Sequence, residues 1–157
     1  MIRYHWRLIR NYLRWRMAGK PRGLLSRVQF KASAMDCDVI GHINNARYLE
    51  FLDCGRTDFI LRSGLAAKSR DQKLLLVVGS INIRYRKEVK RGARFAVETT
   101  FARIDGKAIV FSHKIFVGDQ LMTEAEAACL CLKDKKVISP EFLLPLLQGG
   151  EETTPAR

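Results

Sequence analysis

The sequence predicts an α+β domain in which a five-stranded antiparallel sheet wraps around one long central helix. Three observations predict it. One long helix-period stretch spans residues 44–62, with a single strand-like segment before it. Four strand-like segments follow it. The last three are joined by the turn dipeptides Asp105-Gly106 and Gly118-Asp119, as in a meander of hairpins. A run of strands beside a lone helix favours an antiparallel sheet with the helix on one face.

Residues 24–34 have β-type content and form the first strand. Asn44 is placed to cap the helix, and Tyr48, Leu52, Gly55 and Phe59 recur on one face of it. Gly55 costs about 1 kcal/mol relative to alanine there, which a close approach of helix to sheet would explain. Ser63-Gly64 ends the helix. Residues 74–87 begin as a solid apolar run, then alternate Ile81, Ile83 and Tyr85 with Asn82, Arg84 and Arg86. Residues 94–103, 107–117 and 121–132 complete the sheet. Cys129 and Cys131 share one face of the last strand and read as packing residues. A short helix is expected over residues 140–147. The main domain thus spans 24–147, with a flexible tail over 148–157.

Charge is unevenly distributed. The net charge is +12, and residues 1–35 hold nine of the 28 basic residues and none of the 16 acids. A nearly balanced body carrying a basic head does not read as a nucleic-acid coat, and no aromatic or zinc-finger pattern in the body supports nucleic-acid binding. As a helix, residues 2–17 set Arg3, Arg7, Arg10 and Arg14 on one ridge. Ile2, Trp6, Ile9, Leu13 and Met17 fall on an adjacent face. This pattern suits an anionic membrane surface. It equally suits docking on the body or on a second subunit. Gly19 to Gly23 is a linker, so the head is residues 1–23. No stretch is apolar enough to span a bilayer, and arginines interrupt any secretory signal. A transit peptide is disfavoured because the first serine is Ser26. The four cysteines form no CxxC pair, so no metal site is expected and free thiols in a cytoplasmic, membrane-associated protein are.

The chemistry-bearing stretch is the strand-to-helix junction, Met35 to Tyr48. It sets two acids, Asp36 and Asp38, beside a glycine-containing loop that enters a helix. A helix start offers unpaired N–H groups and a positive dipole end, which can stabilise an oxyanion on a bound carbonyl. A neighbouring carboxylate can attack that carbonyl or activate water. The same residues also read as an Asx turn and a cap.

The stretch Asp36-Cys37-Asp38…Gly41-His42-Ile43-Asn44-Asn45…Arg47-Tyr48-Leu49 resembles the signature of the hotdog-fold acyl-CoA thioesterases of the 4-hydroxybenzoyl-CoA thioesterase type. The head and the segment Val78-Gly79-Ser80-Ile81-Asn82-Ile83-Arg84-Tyr85-Arg86 resemble its small thioesterase-superfamily-member branch. The likeness covers about residues 24–140. It implies the hotdog fold and hydrolysis of an acyl-CoA thioester to a carboxylic acid and CoA. Asp38 is then nucleophile or general base, and the Asn45 backbone N–H is the oxyanion donor. Gly41, His42, Asn44 and Tyr48 would bind substrate, Arg84, Arg86 and Lys87 would meet the CoA phosphates, and Asp36 would order the loop. The resemblance implies no cofactor beyond the CoA of the substrate, and a homodimer or tetramer. Two other readings stay open: a non-catalytic acyl-CoA or lipid-binding protein at a membrane surface, and a hydratase using Asp38 with His42.

Overall fold

Turn chemistry decides the strand pairing. The computed structural model describes residues 2–19 and 22–149, with side chains from Tyr4 onward. The expected flexible tail thus lies, from residue 150, outside the described residues, as do Lys20 and Pro21 of the linker. In chain order come α1 (Ile2–Met17), β1 (Leu25–Lys31), α2 (Asn45–Arg62), α3 (Leu65–Asp71) and β2 (Leu74–Tyr85). Then follow β3 (Arg94–Asp105), β4 (Ala108–Val117), β5 (Gln120–Lys133), β6 (Lys136–Ile138) and α4 (Leu144–Gln148). The sheet runs β1-β3-β4-β5-β2, every pair antiparallel, with β1 and β2 at its edges. The sequence did not announce α3 or β6. The short strand β6 pairs with β5 through a turn at Asp134-Lys135, both left-handed (φ +50° and +63°).

The central helix packs against the curled sheet as its pattern requires. Tyr48, Leu52, Gly55 and Phe59 are all buried. A Cβ on Gly55 would lie 2.6 Å from Thr99 Oγ1 and 2.9 Å from Val97 Cγ1, so β3 can approach only a glycine here. Phe51 meets Phe30 and Phe95 at centroid distances of 5.0 and 4.8 Å. Cys129 and Cys131 are buried, as expected.

Polar groups under the helix are partnered only in part: one buried nitrogen each of Arg56 and His113 has no hydrogen-bond partner among the described residues. Asp58 accepts from Ser26 Oγ at 2.7 Å and from Arg62 Nε at 2.5 Å, and Arg56 pairs with Asp53. His113 is fully buried on β4, with Nδ1 2.9 Å from Thr99 Oγ1. Burial, helped by nearby Arg56, pushes its imidazole down to about 3, so it is neutral.

The apolar run that opens β2 is divided by the strand's two-residue period. Leu74 and Leu76 pack on the core and Leu75 and Val77 point outward, while Val78, beside the register shift at Val78/Ser80, leaves that alternation and is exposed too.

The head docks on the body by Arg7 and Asn11 of its polar side together with Leu8, which packs against the core. Arg7 is buried, with its guanidinium 2.5 Å from Asp36 Oδ1, 3.2 Å from Glu50 Oε2 and over the Phe51 ring at 4.4 Å. Asn11, one turn on, is buried too, and the Tyr4 hydroxyl donates to Asp53. The apolar face carrying Trp6, Ile9, Leu13 and Met17 points to solvent. Among the described residues, no helix is long and apolar enough to cross a membrane.

Candidate active site at the entry to the central helix

The junction folds as a small hairpin ending in a helix cap. Cys37 bridges to Ile43, and the Asp38 N–H donates to the His42 carbonyl at 2.9 Å. Asp38 to Gly41 closes a turn, with the Gly41 N–H 3.1 Å from the Asp38 carbonyl. Gly41 has φ +85° and open space where a Cβ would stand. Left-handed backbone, not a close neighbour in this chain, is what requires glycine there. Val39 and Ile40 form the exposed tip of the turn.

The two acids divide their roles. Asp36 is buried at the base of the hairpin. Its Oδ2 accepts from Ser33 N and Oγ at 3.0 and 2.6 Å, and its Oδ1 from Arg7. Burial alone would raise its pKa. The Ser33 hydrogen bonds and the Arg7 guanidinium outweigh that and hold the carboxyl below the usual range. Its carbonyl also takes the Asn44 N–H at 2.9 Å, which ties the loop to the helix start. Asp38 is exposed. Its Oδ1 accepts from the Ile40 and His42 N–H groups at 3.1 and 3.3 Å, which fixes the carboxylate. Its Oδ2 accepts no hydrogen bond among the described residues. The Asx-turn reading and the reactive reading therefore fit one side chain at once.

The helix entry leaves one donor open. Asn44 is the N-cap, its Oδ1 accepting from the Ala46 N–H at 3.0 Å, while its carbonyl takes the Arg47 N–H at 2.8 Å. The Asn45 N–H has no acceptor among the described residues. Tyr85, at the end of β2, reaches the Asn45 carbonyl at 3.3 Å and packs edge-on to Tyr48 at 5.0 Å. Tyr48 is buried within the core, so in this chain it supports the helix entry from beneath and presents no surface to a ligand. Cys37 is no candidate nucleophile: burial, then Asp36, raises its thiol pKa.

The cations whose backbone is tied to the hairpin are Lys90 and Arg91. Ile43 N–H donates to the Val89 carbonyl, His42 bridges to Lys90, and Arg91 N–H donates to the Gly41 carbonyl at 2.9 Å. The 89–91 segment is thereby laced to the hairpin. The Glu88 carboxyl is held below its usual range by its own backbone N–H and by His42. Arg86 instead pairs with Glu124 at 2.6 Å, with Arg84 3.9 Å from the same oxygen. Lys87 is exposed and opens onto a cleft of about 370 Å³ with Lys90 and Met122. A bridge between two loops 48 residues apart cannot be read from sequence spacing, so Lys90 and Arg91 could be found only as part of the basic stretch 84–91. Among the described residues no group of His, Cys, Asp or Glu is placed to hold a metal ion.

The arrangement supplies a fixed carboxylate with one free oxygen, and an open N–H at the positive end of an 18-residue helix. Those are the groups needed to add a nucleophile to a carbonyl and to bind the resulting oxyanion.

The chain has relatives among known proteins. The chain matches the family model of the thioesterase-like superfamily over residues 33–146. It is 30% identical over 117 residues to the long-chain acyl-CoA thioesterase FadM of Escherichia coli, covering 72% of this chain and 89% of FadM. It is 32% identical over 113 residues to Protein THEM6 of Danio rerio, where it spans 71% of this chain and about half, 54%, of the relative. Among solved structures, the probable thioesterase YbaW of Escherichia coli superposes with a TM-score of 0.71 at 29% identity, covering 76% of this chain and 93% of that one. A 4-hydroxybenzoyl-CoA thioesterase mutant complexed with 4-hydroxybenzoyl-CoA shares the fold with a TM-score of 0.69 at 16% identity.

Proposed function

The chain belongs to the thioesterase-like superfamily, and from that premise we propose that it is an acyl-CoA thioesterase using Asp38 and the N-terminus of α2. The reaction takes acyl-CoA and water to a carboxylic acid and CoA. One observation carries the assignment of roles. Asp38 Oδ1 is pinned by two N–H groups while Oδ2 is free, in the same junction as the unpaired Asn45 N–H.

The thioester carbonyl oxygen points to the Asn45 N–H. Asp38 either adds through Oδ2 to the carbonyl carbon or takes a proton from a water that does so. Charge develops on the carbonyl oxygen, where the N–H and the helix dipole stabilise it; one such donor is worth about 10²–10³ in rate. Collapse of the tetrahedral species breaks the C–S bond and expels the CoA thiolate; in the first route water then hydrolyses the acyl–Asp38 anhydride to the carboxylic acid and the free carboxylate, and in the second Asp38 passes its proton to the thiolate. Gly41 and Asn44 hold the loop and helix entry in place, and His42 positions the 88–91 segment. Lys87, Lys90 and Arg91 are the cations available to CoA phosphates. Arg86 is held by Glu124, whereas Arg84 lies 3.9 Å from that carboxylate and is exposed. The name of the FadM relative makes long-chain acyl-CoA the first substrate to try.

A homodimer completes the site. Edge strand β2 leaves Leu75, Val77 and Val78 exposed, and a long apolar edge is a template for pairing unless covered. Met35, Val39 and Ile40 are exposed beside Asp38. A second copy, or the acyl chain itself, covers them.

The test is hydrolysis over a panel of short, long and aromatic acyl-CoAs, with folded Asp38→Ala beside the wild type. Wild-type turnover that the variant lacks is expected; equal rates contradict the assignment. A second reading, an acyl-CoA-binding protein without turnover held at a membrane by residues 2–17, draws on the outward apolar face of α1. Binding of acyl-CoA with no hydrolysis of any substrate favours it. Hydration of an enoyl-CoA in the same panel would point to the hydratase reading.

A further inference from the structure

Between α1 and the β1 edge of the sheet lies an open cleft of about 470 Å³. Its wall carries five cations: Arg10 and Arg14 from α1, Arg27 and Lys31 from β1, and Arg94 from β3. Arg27 is paired with Glu98 at 2.6 Å. The other four have no carboxylate partner among the described residues. Lys31 and Arg94 are moreover directly opposite each other in the β1–β3 register. Like charges facing across strands are destabilising, and an anion between them removes that cost. This cleft shares nothing with the Asp38 hairpin.

The cleft adjoins the outward face of α1. Trp6, Arg10, Leu13 and Met17 follow at i, i+4, i+7 and i+11, so Arg10 belongs to the cleft and to the exposed stripe. Trp6 is 63% exposed and Met17 86%. The Arg7 clamp on Asp36 and Glu50 fixes the helix with this stripe outward, so the stripe cannot turn inward without breaking buried ion pairs.

We propose that α1 and the cleft together form a docking face for an anionic phospholipid bilayer. Lipid phosphates occupy the cleft between Arg10, Arg14, Lys31 and Arg94, while Trp6, Ile9, Leu13 and Met17 enter the headgroup–acyl boundary. Charge and apolar pattern select this occupant over two others. A second copy seated on the stripe would bring two sets of Arg10 and Arg14 together. A nucleic acid would use the cations but leave the apolar stripe bare.

The test is flotation of the full chain with phosphatidylcholine vesicles, with and without phosphatidylglycerol. Recovery only with phosphatidylglycerol, falling as salt rises, is expected. Lys31→Glu/Arg94→Glu lies wholly on the body and separates this proposal from a helix that binds unaided. It should lower the partition coefficient about tenfold or more, and Leu13→Asp should lower it similarly. Hydrolysis of a soluble short-chain acyl-CoA should be unchanged in both. That readout reports folding and keeps failure of this proposal distinct from failure of the hydrolase reading. Three results overturn the proposal. Equal recovery with neutral vesicles removes the charge requirement. Unchanged binding of Lys31→Glu/Arg94→Glu removes the cleft. No vesicle binding, with either self-association lost in Leu13→Asp or capture of an RNA oligonucleotide, gives the face to a second copy or to nucleic acid.

Discussion

The two long helices use their faces in opposite ways. In α2 the apolar residues face the sheet, and its charges pair within the helix, Arg47 with Glu50, Arg56 with Asp53 and Arg62 with Asp58, with Arg56 and Asp58 themselves buried. In α1 the polar residues Arg7 and Asn11 face the body and the apolar stripe faces out. Apolar burial is worth about 25 cal/mol per Å², so the arrangement of α2 needs no further cause. That of α1 does. Its cause is Arg7, whose charge meets two carboxylates and an aromatic face in one site. Periodicity shows that a helix has two faces; partners far along the chain decide which one docks.

The comparison can be broken first in α2. Phe59 is fully buried, and Phe59→Ala should cost about 3–5 kcal/mol in urea unfolding, with the sheet lost together with the helix. Removing Arg7 should act more locally. Arg7→Ala strands the buried Asp36 carboxylate and should cost about 3 kcal/mol or less, since undocking of α1 relieves the remainder. Hydrogen exchange should then speed in α1 and in the 36–44 hairpin while the centre of α2 stays protected. Uniform loss of protection would show that the head is part of one cooperative core.

The folded His113 is held near 3, below its unfolded value of about 6.5, so the unfolded chain binds the extra proton between those values. Its contribution is therefore fully present above pH 6.5 and is lost as pH falls toward 3, at about 1.4 kcal/mol per pH unit. Unfolding curves at pH 7 and 5 should show this slope, and His113→Phe should flatten it. The smallest effect belongs to the outer stripe of α1. Leu13→Ser should cost about 1 kcal/mol or less, because that residue is 47% exposed in the folded chain.

Much of the fold was legible because its signals are local. The Asn44 cap, the buried face of α2 and the turns at Asp105-Gly106 and Gly118-Asp119 follow from residue type and spacing over a few positions. Gly55 was legible as an exception, and Thr99 and Val97 of β3 explain it. The short α3 and β6 were not, since each is fixed by what it packs on or pairs with. At the site, Asp38 and Asn45 stand out by position, and Asp36 orders the loop as the sequence reading expected. The Arg7–Asp36 pair joins residues 29 positions apart, and His42–Lys90 joins residues still further apart. No motif records either. The pairing of Arg86 with Glu124 is likewise a matter of strand register, invisible before β2 and β5 are aligned.

The central claim is that Asp38 performs chemistry and does not merely order its turn. Asp38→Asn tests it most directly, because the amide oxygen can still accept from Ile40 and His42 while the negative charge is gone. Affinity for an acyl-CoA, measured by calorimetry, and its hydrolysis rate should be taken on the same preparation. We expect binding within a few-fold of wild type and a rate lower by about 10²–10⁴. Hydrolysis retained at the wild-type rate, with the variant folded, would contradict the account.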